Sequence, residues 1–287
     1  MPILNKLLEF GIYLFIFLLP WQTRLFLREG ALNGGFWEYG SISLYATDVL
    51  FLGLAVCYVI CVGAGILPAP QYSSGRAETL RSRLKNLLQP RGAKYYLLFI
   101  IFFLLISASL SILWSPQKFI TLYFSLRVLE GIALFLIIKR LHLPIKRLSF
   151  AILAAGIIQA TLGVEQFILQ DDILGNNKWL GVASHDPKEL GVSVVEYGEY
   201  RWLRAYGSFP HPNILGGWLV ISLMIALEWY LDVARRWKGI LAPLDLKRLK
   251  IERLGAVLSL VMLFCGLIFT FSRSAFLGLG VAFLFYF

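Results

Sequence analysis

Long apolar runs alternate with short polar breaks along this chain. The runs cover residues 7–21, 48–67, 95–114, 120–138, 148–169, 212–231 and 254–271, and an eighth begins at Ser274. A helix needs about 20 largely apolar residues to cross the hydrocarbon of a bilayer. The pattern predicts an all-α, polytopic membrane protein with about eight transmembrane segments. The eighth run is shorter than a span and has no polar flank, so this chain is expected to be the front part of a longer protein. Lys6 and the first run look like a signal peptide, but no small-residue cleavage site follows. Pro20, Trp21 and Gln22 read instead as a helix end with an interfacial Trp.

The breaks differ in character. Residues 22–47 contain Asn33-Gly34, a hairpin-turn pair, and then an alternating stretch, which predicts a short hairpin or re-entrant cap. Residues 68–94 are basic and broken by Pro and Gly, with a possible surface-lying amphipathic helix over 78–88. The longest polar interval runs from 170 to 210, and its alternation around Gly198 predicts a second hairpin. Two regions result: N-terminal helices over 1–147, and a second membrane region over 148–287.

Composition sharpens this picture. Hydrophobic residues make up 58% of the chain and charged ones 15%, against about 25% charged in soluble domains; mean hydropathy is +0.72. The net charge of +10 suggests nucleic acid only until its placement is seen. Lys and Arg gather in three breaks, 76–94, 139–147 and 235–253. With the N-terminus inside, these breaks and Lys6 hold more than twice the Lys and Arg of the other side, as the positive-inside rule requires. Membrane lipids, and no nucleic acid, are the expected contacts. The outer side then carries residues 170–210, His211 and Arg273. The cysteines, Cys57, Cys61 and Cys265, all sit in apolar runs without metal-site spacing, which fits buried small hydrophobes.

No P-loop, GxSxG, HExxH or DxD pattern occurs, which argues against a cytosolic nucleotide-sugar transferase and leaves room for a membrane-borne donor. The chemistry gathers in two stretches. One is RAYGSFPHPNILGG, residues 204–217; the other is FSRSAFLG, residues 271–278. Arg204 and Arg273 stand on the side where the charge bias disfavours Arg, each at a helix entrance. They are either headgroup anchors or a pair converging, with helix N-termini, on one anionic group such as a diphosphate. His211, between two prolines, either caps its helix with Asn213 or serves as donor or base. Arg127 and Glu130 share a helix face and form either a structural pair or, through Arg127, the floor of the site. Gln159 and Gln166 stack on one face with Gly156, Ala160 and Gly163. The small residues predict close helix packing; the two Gln read equally as helix glue or cavity lining.

These two stretches, in this order and with this spacing, resemble the O-antigen ligase family, which includes O-antigen polymerases and related bacterial glycan ligases. The likeness covers residues 204–280, and Arg204, Gly207, His211, Asn213 and Gly216 match its first motif. Arg273 with Leu277 matches the family's Arg-x-x-x-Leu, after Ser272. The resemblance implies a GT-C-like membrane glycosyltransferase in the bacterial inner membrane, working in lipopolysaccharide and cell-surface polysaccharide synthesis. It implies a polyprenyl-diphosphate-linked glycan donor, a glycan, lipid or protein acceptor, and no metal, nucleotide or other cofactor. The family's acceptor-activating His lies in a later loop, expected beyond residue 287. Two other classes stay open: a lipid-glycan transporter or flippase, and a non-catalytic membrane fragment. The first calls for inverted halves or broken midplane helices, and neither is seen in the sequence.

Overall fold

A computed structural model describes residues 2–32, 35–36, 40–65, 93–172, 174–175, 185–189, 191–237 and 246–286. The basic stretch expected over 68–94, apart from its last two residues, lies outside the described residues, with its amphipathic 78–88; so do Asn33-Gly34. The described residues form eight helices: α1 (Pro2–Leu18), α2 (Ala46–Gly63), α3 (Ala93–Trp114), α4 (Lys118–Leu141), α5 (Ile145–Leu169), α6 (Pro212–Trp237), α7 (Leu246–Phe269) and α8 (Arg273–Tyr286). Three two-stranded ribbons occupy the connections. β1 (Arg24–Arg28) pairs with β4 (Ile42–Tyr45), β2 (Ala31–Leu32) with β3 (Gly35–Phe36), and β5 (Val194–Tyr197) with β6 (Tyr200–Leu203).

Each predicted run has its helix, and the ends differ for a physical reason. α6 continues past residue 231 and α7 begins before residue 254. Apolarity marks the part suited to hydrocarbon, whereas a helix continues wherever its polar turns are paired. Here Arg236 bonds Glu252 at 2.7 Å, and Arg248 bonds the same carboxylate at 3.0 Å. Among the described residues, five helices are long and apolar enough to cross a membrane: α2, α4, α5, α6 and, within α7, Lys247–Phe269. The protein is thus mostly helical, with the makeup of a helical membrane protein.

The chain divides into two compact units. The first comprises residues 1–12, 25–44 and 48–143. Pro116 precedes α4, and Thr121 and Ser115 hydroxyls bond at 2.6 Å across that turn. Ser125 Oγ donates to Ala108 O, joining α4 to α3. Leu54 of α2 packs directly against Gly11 of α1.

The second unit comprises residues 13–24, 45–47 and 144–287. Its core is built by Leu153 and Ala160 of α5, Leu215, Leu219 and Leu223 of α6, and Leu263 and Leu267 of α7. The small-residue stripe of α5 allows the close approach: Gly156 lies against Ser222, Ala160 against Gly266, and Gly163 against Ala205 and Leu215. α8 packs on α6, where Gly216 leaves room for Ala275. An apolar groove of about 300 Å³ opens along α6, α7 and α8, between residues such as Leu223, Phe264 and Phe283. The β5–β6 ribbon registers Val194 with Leu203 and Tyr197 with Tyr200. Gly198, with φ of 63°, takes the first central position of its two-residue turn, where only glycine is unstrained.

Candidate functional site

Residues 204–217 leave β6 and enter α6. Their path is fixed by groups from three other segments. Gln170 Oε1 receives Leu203 N at 2.6 Å. Ala205 N donates to Phe269 O at 2.9 Å, tying the stretch to the end of α7. Gln166, buried on α5, uses its whole amide on the turn that follows. Its oxygen accepts Tyr206 N at 3.0 Å and Gly207 N at 2.7 Å. Its nitrogen donates to Gly207 O at 2.8 Å and Asp172 Oδ1 at 2.7 Å. Two turns earlier on the same helix, Gln159 Oε1 accepts Ser208 N at 2.8 Å. Gly207 has φ of 60°, and a Cβ there would stand 2.6 Å from Gln159 Oε1. Both its backbone angle and its space therefore require glycine.

Arg204 is half-buried. Its Nε donates to Thr270 O at 2.7 Å, and a terminal nitrogen to Asn213 Oδ1 at 2.9 Å. Both partners are neutral, and no carboxylate faces this guanidinium among the described residues. Burial lowers its pKa from the ordinary guanidinium value, opposed by the nearby Tyr206, and it stays a cation because Arg does not deprotonate in proteins. Arg273 opens α8, lies exposed, and has no side-chain partner among the described residues. Between the two, the chain turns at Phe271, whose φ of 48° is left-handed. Ser272, 1% exposed, caps α8 by accepting Ala275 N at 3.3 Å. Phe167 stacks on Phe269 at 4.3 Å, and Phe271 tilts against it at 5.7 Å.

His211 occupies the cap of α6. Its Nδ1 accepts Asn213 N at 3.1 Å, and its carbonyl accepts Ile214 N at 3.0 Å. Nε2 stands 3.3 Å from Ser193 Oγ. Burial first, and then the Arg204 charge, lower its pKa from 6.5, so the ring is neutral at pH 7 with its proton on Nε2. The expected convergence of helix N-termini on an anion is corrected at α6: Pro212 has no N–H, and the next two amides are taken by His211. The two guanidinium groups, rather than the α6 terminus, supply the positive charge.

The structure thus joins the two stretches, bringing Arg204, His211, Asn213, Gly216, Ser272 and Arg273 to one end of α6, α7 and α8. Leu277 lies farther along α8, 71% exposed. Gly207, Gly216 and Gln166 shape and hold the joint. Arg127 belongs to the other compact unit. It forms an ion pair with Asp48 of α2, lies 3.6 Å from Glu130, and bonds Tyr123 Oη at 2.7 Å and Ser43 O at 3.1 Å.

Sequence reading passed over four residues around this joint. Asp172, 5% exposed, accepts His185 N at 2.5 Å and faces His185 Nδ1 at 3.2 Å. His185 stacks on Tyr206 with centroids 3.9 Å apart. Tyr206 Oη accepts Ser193 N at 2.6 Å. Their signal was a lone His and a carboxylate in the long polar interval, with no periodicity to pair them.

Fold and site together define a helical protein of the membrane-spanning kind, with two cations at the shared end of three packed helices. No protein-family model matches the chain, and neither the curated proteins nor the solved structures contain a match.

Proposed function

We propose that this protein is a membrane glycosyltransferase of the O-antigen ligase and polymerase type, with eight transmembrane segments in a GT-C-like arrangement. It transfers a glycan from a polyprenyl-diphosphate carrier to a glycan, lipid or protein acceptor on the extracytoplasmic face of the bacterial inner membrane. The observation that carries this reading is the pair of cations at the joint: Arg204, fixed to Thr270 and Asn213 with no carboxylate beside it among the described residues, and Arg273 at the exposed start of α8. A diphosphate leaving group needs such charge, and guanidinium forks match phosphate oxygens through paired hydrogen bonds. The apolar groove along the same three helices suits a lipid-linked donor. Acceptor oxygen attack at the anomeric carbon breaks the bond to the diphosphate, and the two Arg stabilise the negative charge that leaves with it.

The test is glycan transfer from a purified carrier-linked donor by the full-length protein, at matched protein levels. Arg204→Lys and Arg273→Lys each should lose about two to three decades of turnover, the cost of about 3–4 kcal/mol for one charge-stabilising contact. Arg28→Lys, exposed and outside both stretches, is the control. Wild-type turnover in both variants makes these residues headgroup anchors and the reading wrong. Carrier movement across a vesicle without transfer assigns the protein to the flippases instead.

A further inference from the structure

Four residues at the joint close a ring of hydrogen bonds. Arg204 N donates to Ser193 O at 3.3 Å, and a terminal nitrogen of the same Arg204 donates to Asn213 Oδ1 at 2.9 Å. Asn213 N donates to His211 Nδ1 at 3.1 Å, and His211 Nε2 stands 3.3 Å from Ser193 Oγ. Chemistry decides the direction of that last bond. Burial, and then the Arg204 charge, keep the imidazole neutral, and its Nδ1 lone pair is spent on the Asn213 amide. The single ring hydrogen therefore sits on Nε2 and is donated to Ser193 Oγ. Ser193 cannot give its own hydroxyl hydrogen back to that nitrogen.

What the ring leaves over is donors. Ser193 is also held through its main-chain N–H, which donates to Tyr206 Oη at 2.6 Å. Its hydroxyl hydrogen has no acceptor among the described residues. Asn213 is exposed and spends its amide oxygen on Arg204, so its side-chain NH2 remains to donate. Arg204 uses Nε and one terminal nitrogen, and its other terminal nitrogen has no partner among the described residues. The Asn213 amide oxygen and His211 Nδ1 are thus used up inside the ring, while three residues keep hydrogens to give, one of them a cation. Such a set fits a ligand whose oxygens only accept, as those of an ionised phosphoryl group do.

We infer that Ser193 is a carrier-recognition residue: its hydroxyl donates a hydrogen bond to a phosphoryl oxygen of the carrier diphosphate that Arg204 holds. The inference rests on the glycosyltransferase reading, and it adds to the two cations a neutral contact that lies outside both sequence stretches. His211 is a positioning residue in this arrangement. By filling one lone pair of Ser193 Oγ, it keeps the hydroxyl hydrogen for the ligand. The ring also sets selectivity. An ionised diphosphate can accept from Arg204, Asn213 and Ser193 together. The carrier alcohol has a single oxygen that carries its own hydrogen, and it cannot.

The experiment measures binding of undecaprenyl diphosphate, undecaprenol and phosphatidylglycerol to full-length protein in detergent. Wild type should bind the diphosphate more tightly than either of the others. Ser193→Ala removes one hydrogen bond to a charged group and leaves the main-chain bonds of residue 193 in place. It should weaken diphosphate binding by about 10–100-fold and leave undecaprenol binding unchanged. Added to His211→Phe, Ser193→Ala should still weaken diphosphate binding by at least about threefold, because the hydroxyl meets the ligand itself. Wild-type affinity for the diphosphate in Ser193→Ala overturns the inference and leaves the donor reading standing. Equal loss for the diphosphate and undecaprenol, or no further loss on top of His211→Phe, makes Ser193 a prop for His211 and also overturns it. A wild-type protein that binds undecaprenol or phosphatidylglycerol as tightly as the diphosphate overturns the donor reading, and this inference with it.

Discussion

Replacing Gln166 with Met tests how the joint is held. Met is close to Gln in length and shape, so the cavity stays filled while four hydrogen bonds are removed. The buried groups left behind are Tyr206 N, Gly207 N, Gly207 O and Asp172 Oδ1. A hydrogen bond is worth about 0.5–1.5 kcal/mol net, so the loss is about 2–6 kcal/mol, concentrated in one turn. At about 1.4 kcal/mol per decade, local opening becomes between about 30-fold and about 10⁴-fold more frequent. Amide exchange by mass spectrometry in detergent reads this directly, with peptides over 203–210 as the reporter and peptides over 215–230 in α6 as the internal reference. The reporter should accelerate strongly and the reference little. Gln166→Glu keeps an acceptor for the two amides but loses both donors and sets a second carboxylate beside Asp172. It should be at least as damaging at pH 7 and recover on acidification, when the introduced group becomes neutral. Acceleration of the reporter by less than about threefold in Gln166→Met would refute the argument, as it is far below the smallest loss worked out above.

Three further outcomes follow from the geometry. Gly216→Val sets carbon where Ala275 Cβ lies 2.8 Å and Ser272 Cβ 3.1 Å from the new atom; overpacking of about 1–3 kcal/mol should lower the thermal midpoint, whereas Gly217→Ala, with open space around it, should not. Arg127→Met leaves Asp48 and Glu130 without their cation and should cost about 3–5 kcal/mol in thermal unfolding, much of which Asp48→Asn in the same chain should recover. His211 has a folded pKa below its ordinary 6.5, so protonation favours the unfolded chain; its contribution to stability is complete above 6.5 and falls away as pH drops below it, and NMR titration of labelled histidine should show the pKa rise in Arg204→Met.

What the sequence made legible follows from the range of the forces involved. Each apolar run became a helix, because the need to satisfy backbone hydrogen bonds inside hydrocarbon acts locally. The ribbon around Gly198 was visible for the same reason, since its turn chemistry sits in two residues. The stripe of Gly156, Ala160 and Gly163 announced close packing but not its partners, Ser222, Gly266 and Ala205, which lie far along the chain. Arg127 shows the limit most clearly. Its neighbour Glu130 is apparent from helical spacing, while Asp48, its ion-pair partner, is separated from it by two intervening connections and carries no local mark. His211 was legible as a cap or a base, and only the positions of Asn213 N and Ser193 decide which of its nitrogens are occupied. His185 and Asp172 stood in a polar stretch without period, where no spacing rule applies.

The support of α8 has a mechanical consequence. This helix rests on α6 at two bearings: near its start Ala275 seats at Gly216, and near its end Tyr286 Oη bonds Glu228. Both contacts lie on the face of α8 that meets α6, so they oppose turning of the helix about its long axis as well as its swinging away. Arg204 is bolted to the frame through Thr270 and Asn213, whereas Arg273 rides on α8. The spacing of the two guanidinium groups is therefore set by how α8 seats on α6.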